Sequence, residues 1–388
     1  MISALIFSDK TPLTNYVRGV CAMSEGISVT GTLDTVRTGY PIARQLSAWA
    51  PELVLLDIGD EAMKNQAGAV VLQIQTESPA TAIVPICSQR APHVQELTET
   101  LGLVPPLAPP FTSEDLETAA IDALGATMDG KRGFLAVFVP ARPGSGATTV
   151  ALNAAWQVAR NRSFRTLFVE VDEEVGAASI LLDDREIGIT VGDDPGFLTE
   201  EGFLQHIRLL GPLHVITGVR MRALTKMKRW AVLRLVTCAR SYYDFVFVRV
   251  PSLAHACVKP LLSIARRICI TATPDVPSLA MARRRCAELR KAAEVARVML
   301  VVNRCNGDLA ERHFRHLLDH DNVALVPDAP RLVQQAYKGS GVVEVGGPFA
   351  RGIHSVASAV IGCTSTCPPP PAPPAFALLS RLFAPEGT

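Results

Sequence analysis

Residues 134–149 read FLAVFVPARPGSGATT. The apolar stretch Phe134 to Val139 has the length and composition of a buried strand. Pro143-Gly144-Ser145-Gly146 follows as a turn-forming loop, and the Ala-rich stretch from Val150 to Arg160 has helix composition. Strand, glycine loop, helix is the order a phosphate cradle needs. Glycines let successive backbone N–H groups curl round an anion, and the helix N-terminus adds partial positive charge. A loop that works on a nucleotide also places a Lys before the Thr pair, to reach the β- and γ-phosphates. Ala147 holds that place, so architecture and turnover have to be argued separately.

The same alternation of apolar strands and helical stretches runs along most of the 388 residues, which signals parallel α/β layers and is enough chain for two domains. A formal net charge of +1 gives no global reason to expect nucleic acid or an anionic membrane as partner. The N-terminal residues lack a cationic region, carry Asp9 within a short apolar run, and do not read as a signal peptide. The apolar runs, such as 298–302, have strand length and fall short of a membrane span. Nine cysteines lie scattered without the paired spacing of a zinc site and read as reduced thiols, Cys363 and Cys367 being the one close pair. These features point to a cytoplasmic protein.

The expected architecture is two doubly wound parallel-sheet domains. In residues 1–124, strands are expected at 2–7, 27–32, 53–57, 82–87 and near Gly102–Val104, a flavodoxin-like count. Thr112-Ser-Glu-Asp115 opens a closing helix that runs to about Leu124. Residues 125–133, polar and Gly-containing, read as a hinge. Residues 134–362 form the second domain, with further strands at 165–171, 213–217, 245–250, 267–272, 298–302 and 323–326. Residues 363–388 form a tail, in which the polyproline spacer 368–374 precedes an apolar stripe at Phe376, Leu379 and Phe383. That stripe suggests peripheral membrane contact or a docking peptide. The basic run 220–234 holds Trp230 and six cations, and reads as a core face (Met221, Leu224, Met227, Leu233, Leu235) beneath a solvated one.

Residues 134–362 resemble the MinD/ParA family of deviant P-loop ATPases, whose loop reads Lys-Gly-Gly-x-Gly-Lys-Thr-Thr. The matching positions are Arg142, Pro143, Gly144, Ser145, Gly146, Ala147, Thr148 and Thr149. The resemblance implies a homodimer in which Arg142, in the place of the family's first Lys, reaches the partner's phosphates, and it makes Thr148 the Mg2+-side hydroxyl. In 166–176, TLFVEVDEEVG, Glu170 takes the family's first Asp position and Asp172 the second, which orients the attacking water. In 243–251, YDFVFVRVP, Arg249 stands where the Mg2+-side Asp belongs. Asn303, ending the strand in 301–304, matches the adenine-reading Asn, and Asp328 matches the Pro-Asp after the last core strand. ATP or ADP is the implied ligand, whereas the Arg249 exchange leaves Mg2+ poorly supported. Removing one phosphate-stabilising donor typically costs about 10²–10³ in rate, so losing the Lys and the metal-side Asp together should leave little turnover.

Residues 1–124 resemble the receiver domain of response regulators. Asp57, ending 51–57 (PELVLLD), matches the phospho-accepting Asp, with Asp9 from the acidic pair and Ser88 as the hydroxyl after the fourth strand. Pro109 stands where the fifth-strand Lys belongs, so a protein-binding pseudo-receiver is implied. A receiver-like domain ahead of a MinD-type domain with Ala for the Walker lysine resembles CpaE/TadZ proteins, the localisation and assembly factors of tight-adherence pili, and 270–279, ITATPDVPSL, is similar to the pilus branch. The resemblance implies pilus or secretion assembly proteins as partners and a polar or membrane-associated location through them. The alternatives are an active ATP-driven positioning factor of the MinD/ParA type, acting on membrane or DNA, and a response regulator phosphorylated on Asp57.

Overall fold

The computed structural model describes residues 2–24, 26–33, 42–59, 64–78, 81–128, 133–161, 164–172, 176–181, 205–220, 226–254, 258–290, 297–307, 310–337 and 347–362. Two compact units divide the chain, Met1–Lys131 and Arg132–Thr388. No described helix is long and apolar enough to cross a membrane. The Pro-rich tail, the 376–383 stripe, Cys363 and Cys367 lie outside the described residues, as do Met221 and Leu224 of the basic run.

In the first unit, β1 (Ile2–Phe7), β2 (Ile27–Leu33), β3 (Leu53–Asp57) and β4 (Ala82–Ile86) form a parallel sheet in the order β2-β1-β3-β4. Apart from Asp57, β3 and β4 are buried throughout, as a parallel sheet covered on both faces requires. The closing helix spans Ser113–Met128. The Thr112 hydroxyl accepts from the Asp115 N–H (3.2 Å), and the Asp115 carboxylate accepts from the Thr112 N–H (2.8 Å), a reciprocal cap. Two expectations change. That helix continues into the stretch read as hinge. The fifth strand near Gly102–Val104 does not form, and a single parallel bridge joins Ile86 to Leu107 instead. Pro105 and Pro106 have no N–H to give a ladder, so pairing begins only beyond them.

In the second unit, β5 (Phe134–Pro140), β6 (Thr166–Asp172), β7 (Arg208–Leu210), β8 (Leu213–Arg220), β9 (Phe245–Arg249), β10 (Arg267–Ala272), β11 (Val298–Cys305) and β12 (Val323–Pro327) form one sheet. Its order is β12-β11-β10-β5-β9-β6-β8-β7, parallel except for the β7–β8 pair. The short β7 had no legible sequence signal, since its residues Arg208 and Leu209 are exposed and do not alternate. Helix 147–159 is buried along almost its whole length and packs with Phe138, Phe168 and Phe247 in the main core. It starts three residues earlier than its composition suggested. In the basic run, Leu233 and Leu235 are buried as expected. Cys21 and Cys269 are buried, and burial pushes each thiol up to about 12, which keeps them protonated and unreactive.

The topology also dictates where a ligand can bind. From β5 the chain passes to β6, β7 and β8 on one side, comes back to β9 beside β5, and continues to β10, β11 and β12 on the other side. Strands that depart in opposite directions leave a crevice at their carboxyl ends, beside β5.

One buried pair sets an acid sensitivity. His214 Nδ1 lies 2.6 Å from the Tyr243 hydroxyl, and burial lowers its pKa to about 4. The unfolded chain therefore takes up a proton near pH 6.5 that the folded chain refuses, so this stability is complete above pH 6.5 and is lost as pH falls toward 4. The loss by pH 5 should be about 2 kcal/mol. Urea midpoints at pH 7 and pH 5 should show it, and His214→Gln should flatten the difference.

Candidate functional site

Four strand ends meet at the crevice. The loop after β5 turns through Gly144 (φ +82°) and Gly146 (φ +85°), and Gly146 caps helix 147–159. At Gly146 a Cβ would lie 2.3 Å from Asn303 Nδ2, besides needing a left-handed backbone, so both space and conformation call for glycine. The close approach reflects a hydrogen bond: Asn303 at the end of β11 donates from Nδ2 to the Ser145 carbonyl (3.0 Å). Asn303 is buried and its amide braces the phosphate loop, a role that the sequence did not suggest. The Ser145 hydroxyl is buried too, with no partner among the described residues.

The Walker-lysine position, Ala147, is the first residue of the helix and is buried. Thr148, beside it, donates its hydroxyl to Glu170 Oε1 (3.2 Å), and the Ala178 N–H donates to Glu170 Oε2 (2.8 Å). Gly176 permits this, because a Cβ there would lie 2.0 Å from that same carboxylate oxygen. Burial raises the Glu170 pKa, and Arg249 and the Ala178 N–H oppose the rise. A raised carboxylate pKa means that the folded chain holds its proton more tightly than the unfolded one, so this contribution to stability falls as pH rises above the ordinary glutamate range.

Glu170 pairs in register with Arg249 across β6 and β9. Arg249 extends Nη1 to Asp172 Oδ2 in a close ion pair and also to the Val171 carbonyl (3.4 Å). Both side chains are largely buried, at 14% and 22% exposure, so water screens the pair little. The carboxylate expected to orient a water molecule is thus held by a guanidinium. This donor set does not suit a divalent cation, because Mg2+ requires oxygen ligands and would stand against a fixed positive charge. Among the described residues, no cluster of three or more His, Cys, Asp or Glu side chains is arranged to hold a metal ion.

Arg142, at the mouth of the loop, lies 3.6 Å from Asp275, each about half exposed. The Thr273 hydroxyl and the Ser278 N–H hold the Asp275 carboxyl below its usual range. Surface pairs of this kind are worth at most about 1 kcal/mol, so Arg142 is available to an anion. Thr149 follows Thr148 into the helix, and its carbonyl accepts from Asn153. Asp328 is exposed beyond β12, with its N–H donated to the Cys305 carbonyl (2.8 Å), and β12 stands at the far edge of the sheet from β5.

The first unit holds a second acidic pocket. Asp57 accepts from the Ser8 hydroxyl (2.9 Å) and the Gly59 N–H (3.0 Å), and Lys10 Nζ lies 3.8 Å from Oδ1. Pro109 still leaves the fifth-strand position without a Lys, and the cation near Asp57 is Lys10, from the loop after β1. Asp9 and Ser88 are exposed.

No protein-family model matches the chain, and no curated protein does. Solved structures do. A ParA family ATPase from Chlorobium tepidum TLS is 20% identical, with 59% of this chain and 98% of that one covered and a TM-score of 0.50. The cell division ATPase MinD of Pyrococcus furiosus is 16% identical over 60% of this chain and all of its own, with a TM-score of 0.49. The MinD cell division protein of Aquifex aeolicus is 17% identical over 62% of this chain and all of its own, at 0.48. The matched share exceeds the length of the first unit. The second unit has the MinD/ParA-like P-loop fold.

Proposed function

We propose that the chain is a localisation and assembly scaffold of the CpaE/TadZ kind, serving a tight-adherence pilus or related secretion machine, whose P-loop binds a nucleotide and scarcely hydrolyses it. The observation that carries this reading is the Arg249–Asp172 ion pair beside a loop with Ala147 at the lysine position. Phosphoryl transfer depends on charges aimed at the transferring group, and here both the lysine and the metal-side carboxylate are replaced. The anion-binding half of the site remains, with two glycines at positive φ, a helix N-terminus, Thr148 and Arg142. A fold shared with a solved ParA family ATPase favours a positioning or partition-type role. The first unit serves in this reading as a pseudo-receiver that docks partners, with Lys10 fixed on Asp57. A homodimer would bring Arg142 to the second copy's nucleotide.

Calorimetric titration of ATP and ADP, beside a phosphate-release assay, tests the proposal. Gly144→Asp is the control, because a side chain there meets no atom within 4 Å, Asp tolerates a left-handed backbone, and its charge opposes an anion. Saturable binding that the control weakens at least ten-fold, with release at background, is the expected result. Sustained Mg2+-stimulated release would favour an active positioning ATPase instead.

A further inference from the structure

The misfit between the site and a divalent cation has a positive counterpart. Arg249 stands at the carboxyl end of β9, next to β5, with the Val250 N–H on the Phe138 carbonyl (3.0 Å) and Glu170 opposite in register. Glu170 in turn holds the Thr148 hydroxyl. Arg249 is therefore the strand neighbour of the carboxylate that holds the first turn of the helix closing the phosphate loop. Its Nη1 is engaged by Asp172 and Val171, whereas its buried Nε has no partner among the described residues. Two further buried groups around the loop are likewise without one: the Ser145 hydroxyl within it and the Thr271 hydroxyl at the end of β10, whose carbonyl accepts from the Ala141 N–H (2.7 Å). Buried polar atoms without partners mark places where a ligand or ordered water completes the hydrogen bonding.

We propose that Arg249 is a tethered replacement for the divalent cation, so that the second unit takes a nucleoside di- or triphosphate in its metal-free form. This rests on the nucleotide reading above and adds to it the ionic form of the ligand. A guanidinium is permanently charged and carries several N–H donors suited to phosphate oxygens. Held by Asp172, it is already oriented before a ligand arrives. A nucleotide carrying Mg2+ would bring a second cation against it, whereas the free polyphosphate would bring only anionic oxygens.

The test is titration of ATP into the full-length protein in EDTA and in excess Mg2+, with the wild type and with Arg249→Lys, Arg249→Gln and Arg249→Asp, each checked by circular dichroism. The wild type should bind at least as tightly in EDTA as in Mg2+. Arg249→Lys should keep that pattern, and Arg249→Gln should lose ten-fold or more in EDTA. Arg249→Asp, where folded, should bind only with Mg2+. Arg249→Gln keeps the test decisive if three neighbouring carboxyls unfold the Asp variant. Wild-type binding that is tighter in Mg2+ overturns the proposal and leaves the nucleotide reading intact, as does a Gln variant that binds like wild type in EDTA. An absence of binding in both conditions overturns the nucleotide reading and the proposal together.

Discussion

Arg240→Ala should lower the unfolding temperature by about 10 °C, although Arg240 lies far along the chain from the phosphate loop. Arg240 is among the largest fully buried side chains. Its Nε donates to the Gly133 carbonyl (2.6 Å) and its Nη1 to the Ile264 carbonyl (3.4 Å), while the Gly133 N–H donates back to the Arg240 carbonyl (2.9 Å). The side chain thus ties the start of β5 to the segment ahead of β10. Truncation leaves two buried carbonyls without these donors and a cavity where the side chain stood. Charged hydrogen bonds of this kind contribute about 1.5–3 kcal/mol each, so a loss of about 3–5 kcal/mol follows. For a unit of this size each kcal/mol shifts the midpoint by about 2–4 °C. Differential scanning calorimetry reads the shift directly. A change below about 1 kcal/mol would mean that water replaces the guanidinium without cost.

The other large effect concerns turnover. Ala147→Lys alone should leave phosphate release near background, since Arg249 would still hold Asp172 and occupy the metal side. Arg249→Asp alone should do no better, for want of the lysine. The double variant should rise about 10²-fold or more above wild type with Mg2+, because each donor of this kind is worth about 10²–10³ in rate and groups that act as a unit are strongly non-additive. Steady-state phosphate release for the four proteins forms a double-mutant cycle. Equal rates throughout would show that the site lacks more than these two groups.

Much of this chain can be read in one dimension. The loop signal is local: a strand, two glycines and a helix within sixteen residues constrain one another without help from the rest of the fold, and Ala147 and Arg249 stand out against the MinD/ParA segments that the sequence resembles. The parallel strands announce themselves as unbroken apolar runs because both faces of such a sheet are buried. Where the reading missed, the cause was pairing or backbone chemistry. Pro105 and Pro106 withhold the donors a fifth strand would need. The exposed edge strand β7 carries no hydrophobic pattern, because an edge has little to bury. Gly133 read as hinge, yet it is clasped by Arg240 from more than a hundred residues away.

The amino-acid order alone thus determined the α/β class, the positions of the main strands along the chain and the glycine loop, and the resemblance to MinD/ParA proteins marked the groups exchanged there. Tertiary structure decided what the substituted groups do. Sheet order places β9 against β6 and so sets Arg249 on Asp172. It places β1 against β3 and so sets Lys10 on Asp57, and it brings Asn303 to the Ser145 carbonyl. The physical reason is that strand and helix signals arise from neighbours a few residues apart, whereas a charge finds its partner only after the sheet has assembled and removed both from water.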